Sequence, residues 1–164
     1  MSLADELLDT AKYLLRRNKN KPTQADIRRS ISSAYYALFH HLIEAGTGHL
    51  VVDLAQQQAL ARAFSHTNMR EVCELVTKQP LPPILVPLLG SSVPDELRQV
   101  ADKFVALQDW RHNADYNVSL IFTRNEGRER IDDLEDVFAA WKLIPTAIAN
   151  PFLILLLLGK RSLR

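Results

Sequence analysis

Asp26-Ile27-Arg28-Arg29-Ser30-Ile31-Ser32-Ser33-Ala34-Tyr35-Tyr36-Ala37-Leu38-Phe39-His40-His41-Leu42-Ile43 places Ile27, Ile31, Ala34, Tyr35, Leu38 and Leu42 at steps of three and four. That is the period of one face of an α-helix, and Phe39 and Ile43 widen the face into a core-facing stripe. Thr23 or Gln24 opens this helix, and Gly46 is expected to stop it, because glycine is the usual residue just past a helix end. Its other face carries Ser33, Tyr36, His40 and His41. Adjacent histidines lie about 100° apart on a helix and cannot aim at one ion, so no metal site is expected there.

Working outward, every other segment reads as helix or as irregular connection. Leu3, Leu7, Ala11 and Leu14 form a stripe with Ser2 as N-cap and Asp5 in the first turn. Arg16-Arg17-Asn18-Lys19-Asn20-Lys21-Pro22 ends it. Asp53 to Gln56 opens a short helix with a box-type cap, and Asn68 with Glu71 predicts a second cap for a helix burying Met69, Val72, Cys73 and Val76. His66 lies in the joint between them. Gln79 to Pro94 holds five prolines among apolar residues and reads as an extended loop pressed on the helices. A long helix from Ser92 or Pro94 to Tyr116 follows, then one capped by Thr123 and Glu126 with Ile131, Leu134, Phe138 and Trp141 inward, which Pro145 ends or kinks. The eight apolar residues Pro151 to Leu158 fall short of the ~20 that span a bilayer, so burial in the core or against a second subunit is expected rather than a membrane anchor. The fold class that results is all-α: a single domain over 1–164, an up-and-down bundle of four to five main helices, with an apolar tail over 143–164.

At 47% hydrophobic and 24% charged residues the chain can bury a core, which excludes a disordered or membrane-embedded class. A net charge of +1 gives no global pull toward nucleic acid. Charge is one-signed only between Lys12 and Arg29, where seven basic residues (including Arg16, Arg17, Arg28 and Arg29) face one acid, Asp26. That stretch is either a solvated loop or a phosphate-binding patch. The single cysteine, Cys73, forbids an intramolecular disulfide, and the start lacks a basic region followed by an apolar core, so a cytoplasmic location is the default expectation.

The chemistry-bearing stretch is Asp109-Trp110-Arg111-His112-Asn113-Ala114-Asp115-Tyr116-Asn117. Leu97, Val100, Ala101, Phe104 and Gln108 lead at helical spacing to Arg111 and Asp115, so an apolar face turns ionic. Charges on a packing face are costly unless paired or solvated. As a mere pair four residues apart, they are worth only about 0.3–0.5 kcal/mol. Phosphate loops, nucleophile elbows, paired Cys-x-x-Cys and His-Glu-x-x-His are lacking, so no cofactor or metal is implied. Ser33 with His40, or Cys73 with His66, lacks the third group that orients a nucleophile and its base.

Two of these motifs carry a resemblance. The Ala34-Tyr35-Tyr36-Ala37-Leu38-Phe39-His40 helix resembles the Ala-Tyr-Tyr-Ala-x-Phe-His helix of the HEPN superfamily. Arg111-His112-Asn113-Ala114-Asp115-Tyr116 is similar to that superfamily's Arg-x-x-Ala-Asp-Tyr signature. The likeness covers about residues 3 to 142. It implies a homodimeric helical bundle with the signature arginines facing each other across a cleft, and a role in RNA or nucleotide binding within a toxin–antitoxin or defence system, beside an antitoxin or nucleotidyltransferase partner. Many members are metal-independent endoribonucleases with a histidine four to six residues past the arginine, where this chain has Tyr116, Asn117 and Val118. Binding is thus expected over fast cleavage, with an active ribonuclease and a purely structural protein as the alternatives. In the catalytic version Arg111 stabilises the phosphate charge, Asp115, His40 or His66 serves as base, and Tyr116 stacks or hydrogen-bonds. Binding would draw on Arg111, Asn113, Tyr36, Arg16, Arg17, Arg28 and Arg29.

Overall fold

The structure, a computed structural model, describes residues 1–163. Among them there are eight α-helices and no strand: α1 (Leu3–Asn20), α2 (Gln24–Leu50), α3 (Leu54–Ala61), α4 (His66–Val76), α5 (Val86–Leu89), α6 (Asp95–Tyr116), α7 (Arg124–Trp141) and α8 (Thr146–Leu158). α2 is the hub of the bundle and touches α1, α3, α6, α7 and α8, while α6 is flanked by α2, α4 and α7.

Reciprocal capping boxes start three of the long helices: Ser2 with Asp5, Thr23 with Asp26, and Thr123 with Glu126. Each satisfies two backbone donors that a helix start leaves free. In α1 the helical angles stop at Arg16, and Asn18, Lys19 and Asn20 turn left-handed with φ of 50°, 56° and 65°. The buried face of α1 is Ala4, Ala11 and Leu15, not the expected stripe through Leu3 and Leu14, since Leu3 is 46% exposed and Leu14 half-buried. The small Ala4 and Ala11 lie at 1% and 0% exposure and let the α1 backbone approach its neighbours closely, which turns the helix about its axis.

α2 does not stop at Gly46. It runs on to Leu50, and a Cβ at position 46 would lie 2.8 Å from the Phe64 ring. That glycine serves a close approach rather than a helix end. α3 takes its N-cap from Asp53 alone, and α4 is capped by Ser65 instead of Asn68, which makes His66 its first residue. The proline-rich segment is not extended throughout: it holds a 3₁₀ turn (Pro83–Leu85) and α5, with prolines in the first turns, where a missing N–H costs nothing. Its Leu81, Leu85, Leu89 and Val93 are buried.

α8 accepts Pro151 internally and buries Ala149, Phe152, Leu153, Leu155 and Leu156 against α2, α4 and α5 of the same chain. No described helix is long and apolar enough to cross a membrane. The apolar side chains fall into a large core spanning most of the bundle and a smaller one of Ala11, Leu15, Ile27, Ile31, Ala114, Phe122 and Ile131. Tyr35 belongs to the first, Ile31 and Ala114 to the second, and the polar residues of α2 and α6 lie at the same level of the bundle as this junction.

Candidate anion-binding site

On α6, Leu97, Val100, Ala101 and Phe104 are fully buried, and the same face continues through Gln108 to Arg111 and Asp115. Ser32, Tyr35 and Tyr36 oppose it from α2. The Arg111 guanidinium carbon lies 5.3 Å from the centre of the Tyr35 ring and 5.5 Å from that of Tyr36. Two rings fix the cation without using its N–H groups, each contact being worth about 0.5–2 kcal/mol according to desolvation. Asp115 Oδ2 is 3.9 Å from Arg111 Nε, too far for a hydrogen bond, and instead accepts one from Ser32 Oγ at 3.2 Å. The two side chains are 13% and 19% exposed. Arg111 Nε is buried with no partner, and among the described residues the guanidinium donates no hydrogen bond at all. A half-closed arginine with its fork of donors unused is the most distinctive feature of the site.

His66 arrives from α4. Tyr35 Oη and His66 Nδ1 are 2.6 Å apart, and the imidazole stacks on Phe39 with ring centres 4.0 Å apart. Gln108, one turn before Arg111 on α6, donates its side-chain amide to the His66 carbonyl at 3.5 Å. Burial pushes the Tyr35 phenol far above its ordinary range. Burial, then the charge of Arg111, then His40 hold His66 below its ordinary value. His40 packs edge-on against Phe39, and burial lowers its pKa too.

An open groove of about 530 Å³ runs beside this cluster, lined by Ala25, Arg28, Arg29, Tyr36, Asp115 and Tyr116. That volume suits a nucleotide-sized ligand. Tyr116 is 66% exposed and stands against His112. Asn113 faces a different, smaller pocket with Trp110 and Ile121, and so is not brought to Arg111. The basic stretch divides. Arg28 donates to the carbonyls of Ala114 (2.8 Å), Asn117 (3.1 Å) and Leu120, capping the end of α6, and Arg17 is paired with the buried Asp26 at 2.8 Å. Arg16 and Arg29 remain exposed. Ser32 and Tyr35 are site residues that sequence reasoning did not name as such; their signal was the spacing of three that sets Ser32 on the edge of the α2 stripe next to Tyr35.

Compared with family models, curated proteins and solved structures, the chain matches none.

Proposed function

We propose that this is a HEPN-like protein that binds RNA or a nucleotide in the groove between α2 and the end of α6, as a homodimeric component of a toxin–antitoxin or defence system. One observation carries the reading: Arg111 rests against two adjacent tyrosine rings and donates no hydrogen bond, a geometry suited to a phosphate and wasteful in a structural residue. Asp115 and Ser32 flank it, and Tyr36 offers a ring edge along the groove for a base. Fluorescence anisotropy with a short labelled RNA tests the reading. Arg111→Ala should weaken binding roughly ten- to hundredfold, since a hydrogen bond to a charged group contributes about 1.5–3 kcal/mol. Wild type that binds no RNA or nucleotide, or a variant that binds as well as wild type, overturns it. The homodimer is checked by light scattering across dilution.

A metal-independent ribonuclease is the second reading, favoured by the arrival of His66 and Asp115 beside Arg111. Cleavage of RNA in the presence of a chelator, lost in Arg111→Ala, would move the assignment to it, because an electrostatic transition-state contact is worth roughly 3–4 kcal/mol of barrier.

A further inference from the structure

The proton on His66 can be placed from the hydrogen-bond network. Tyr35 is fully buried, and His66 Nδ1 is the single partner of its hydroxyl among the described residues. A buried O–H left without an acceptor costs about 1–3 kcal/mol, so the hydroxyl donates and Nδ1 accepts. The neutral imidazole then carries its proton on Nε2. An imidazolium would set an Nδ1–H against the tyrosine proton, and the nearby guanidinium disfavours it as well. His66 Nε2 makes no hydrogen bond to the protein and is not among the buried polar atoms, so it reaches solvent. The ring stands 5.6 Å from that of Tyr35 and 5.9 Å from that of Tyr36, the two rings that also hold Arg111. The His66 carbonyl is tied to Gln108, one helical turn from Arg111.

We infer that His66 is the second ligand-binding donor of this site: its Nε2–H, fixed by Tyr35, joins the Arg111 fork in holding the oxygens of a phosphate group. The inference rests on the proposed phosphate-binding role of Arg111. It gives His66 a role opposite to that of a general base, because the nitrogen open to ligand already bears a proton. Asp115 is then the acceptor of the site, and Tyr35 is a positioning residue that never touches the ligand.

Two measurements test this on the full chain. Long-range ¹H–¹⁵N correlation at neutral pH should show His66 protonated on Nε2 and bare on Nδ1, and Tyr35→Phe should abolish that preference while leaving the fold intact. The reverse tautomer in wild type overturns the inference. Binding of inorganic phosphate, a nucleoside monophosphate and a short RNA is then compared. His66→Ala should lose roughly ten- to hundredfold in affinity, the loss expected for a donor to a charged group. His66→Gln, whose amide reaches the place of Nε2, should recover most of it, and His66→Asn, whose amide reaches only Nδ1, should not. RNA binding with no response to phosphate or the monophosphate would mean the site reads bases, which also overturns it. Binding lost in Arg111→Ala but untouched in His66→Ala overturns this inference alone. Absence of any binding by wild type overturns the function reading with it.

Discussion

Arg28 and Arg111 both lie between α2 and the C-terminal half of α6, and they use their donors in opposite ways. Arg28 gives its N–H groups to three backbone carbonyls at and beyond the end of α6 and lies 5.1 Å over the Phe122 ring. It satisfies acceptors that every helix end leaves open, and its charge suits the negative end of the helix dipole. Arg111, less than one turn of chain before Ala114, gives its donors to nothing and is held by the faces of two rings. One arginine is a piece of architecture; the other has no hydrogen-bond partner among the described residues, and under the proposed function its partner is a ligand. Charge, residue type and location do not separate the two, whereas the count of satisfied donors does.

The largest effect that tests this contrast is on stability. Arg28→Ala strands three carbonyls and releases the 117–122 return, and should lower unfolding free energy by about 3 kcal/mol in urea denaturation. RNA or phosphate affinity should change far less than it does in Arg111→Ala. If Arg28→Ala is as stable as wild type and loses binding, the two roles have been assigned the wrong way round.

Arg111→Ala should lower stability by about 1–2 kcal/mol, the loss of its two ring contacts, because no hydrogen bond is lost and Asp115 keeps Ser32 and remains partly exposed. Were Arg111 the partner that makes a buried carboxylate tolerable, the loss would be about 3–5 kcal/mol. Calorimetry of this one variant separates a site from an ionic staple.

The same contrast explains how much of the molecule was legible in sequence. The caps at Ser2, Thr23 and Thr123 are local, because donor and acceptor lie three residues apart, and the stripe of α2 was equally plain. What depended on a distant neighbour was not. Gly46 read as a stop because nothing local shows that Phe64 packs on it. On α1 the expected Ala11 is buried, but burial shifts from Leu3 and Leu14 to Ala4 and Leu15, because a small residue such as Ala4 matters through what approaches it. At the site, Arg111 and Asp115 stood out as charges on an apolar face. Arg28 passed for a phosphate ligand because its carbonyl partners are 86 to 92 residues away. His66 was visible only as one of several spare histidines, since its meeting with Tyr35 requires α4 to dock on α2 and α6.

The smallest difference between the two arginines lies in how stability responds to pH. Burial first, and the Arg111 charge second, hold His66 below its ordinary 6.5; burial acts alike on His40 and His41. A histidine depressed in the folded state is protonated first in the unfolded chain. Stability is therefore full above 6.5 and falls as pH drops through 6.5 toward the folded value. Asp5 and Asp26, lowered chiefly by hydrogen bonds from Ser2 and Thr23, contribute stability that is present above 3.8 and lost further into acid, outside this window. Urea midpoints at about pH 7.5 and about pH 5.5 bracket the histidine range. Wild type should lose stability between the two. In Arg111→Ala the repulsion on His66 is gone, its pKa returns toward the ordinary value, and the loss should be smaller. In Arg28→Ala, which touches no histidine, the loss should match wild type although the protein is weaker at both pH values. Equal pH losses in all three proteins would show that Arg111 and His66 do not share an electrostatic environment, and would remove the ground for treating them as one site.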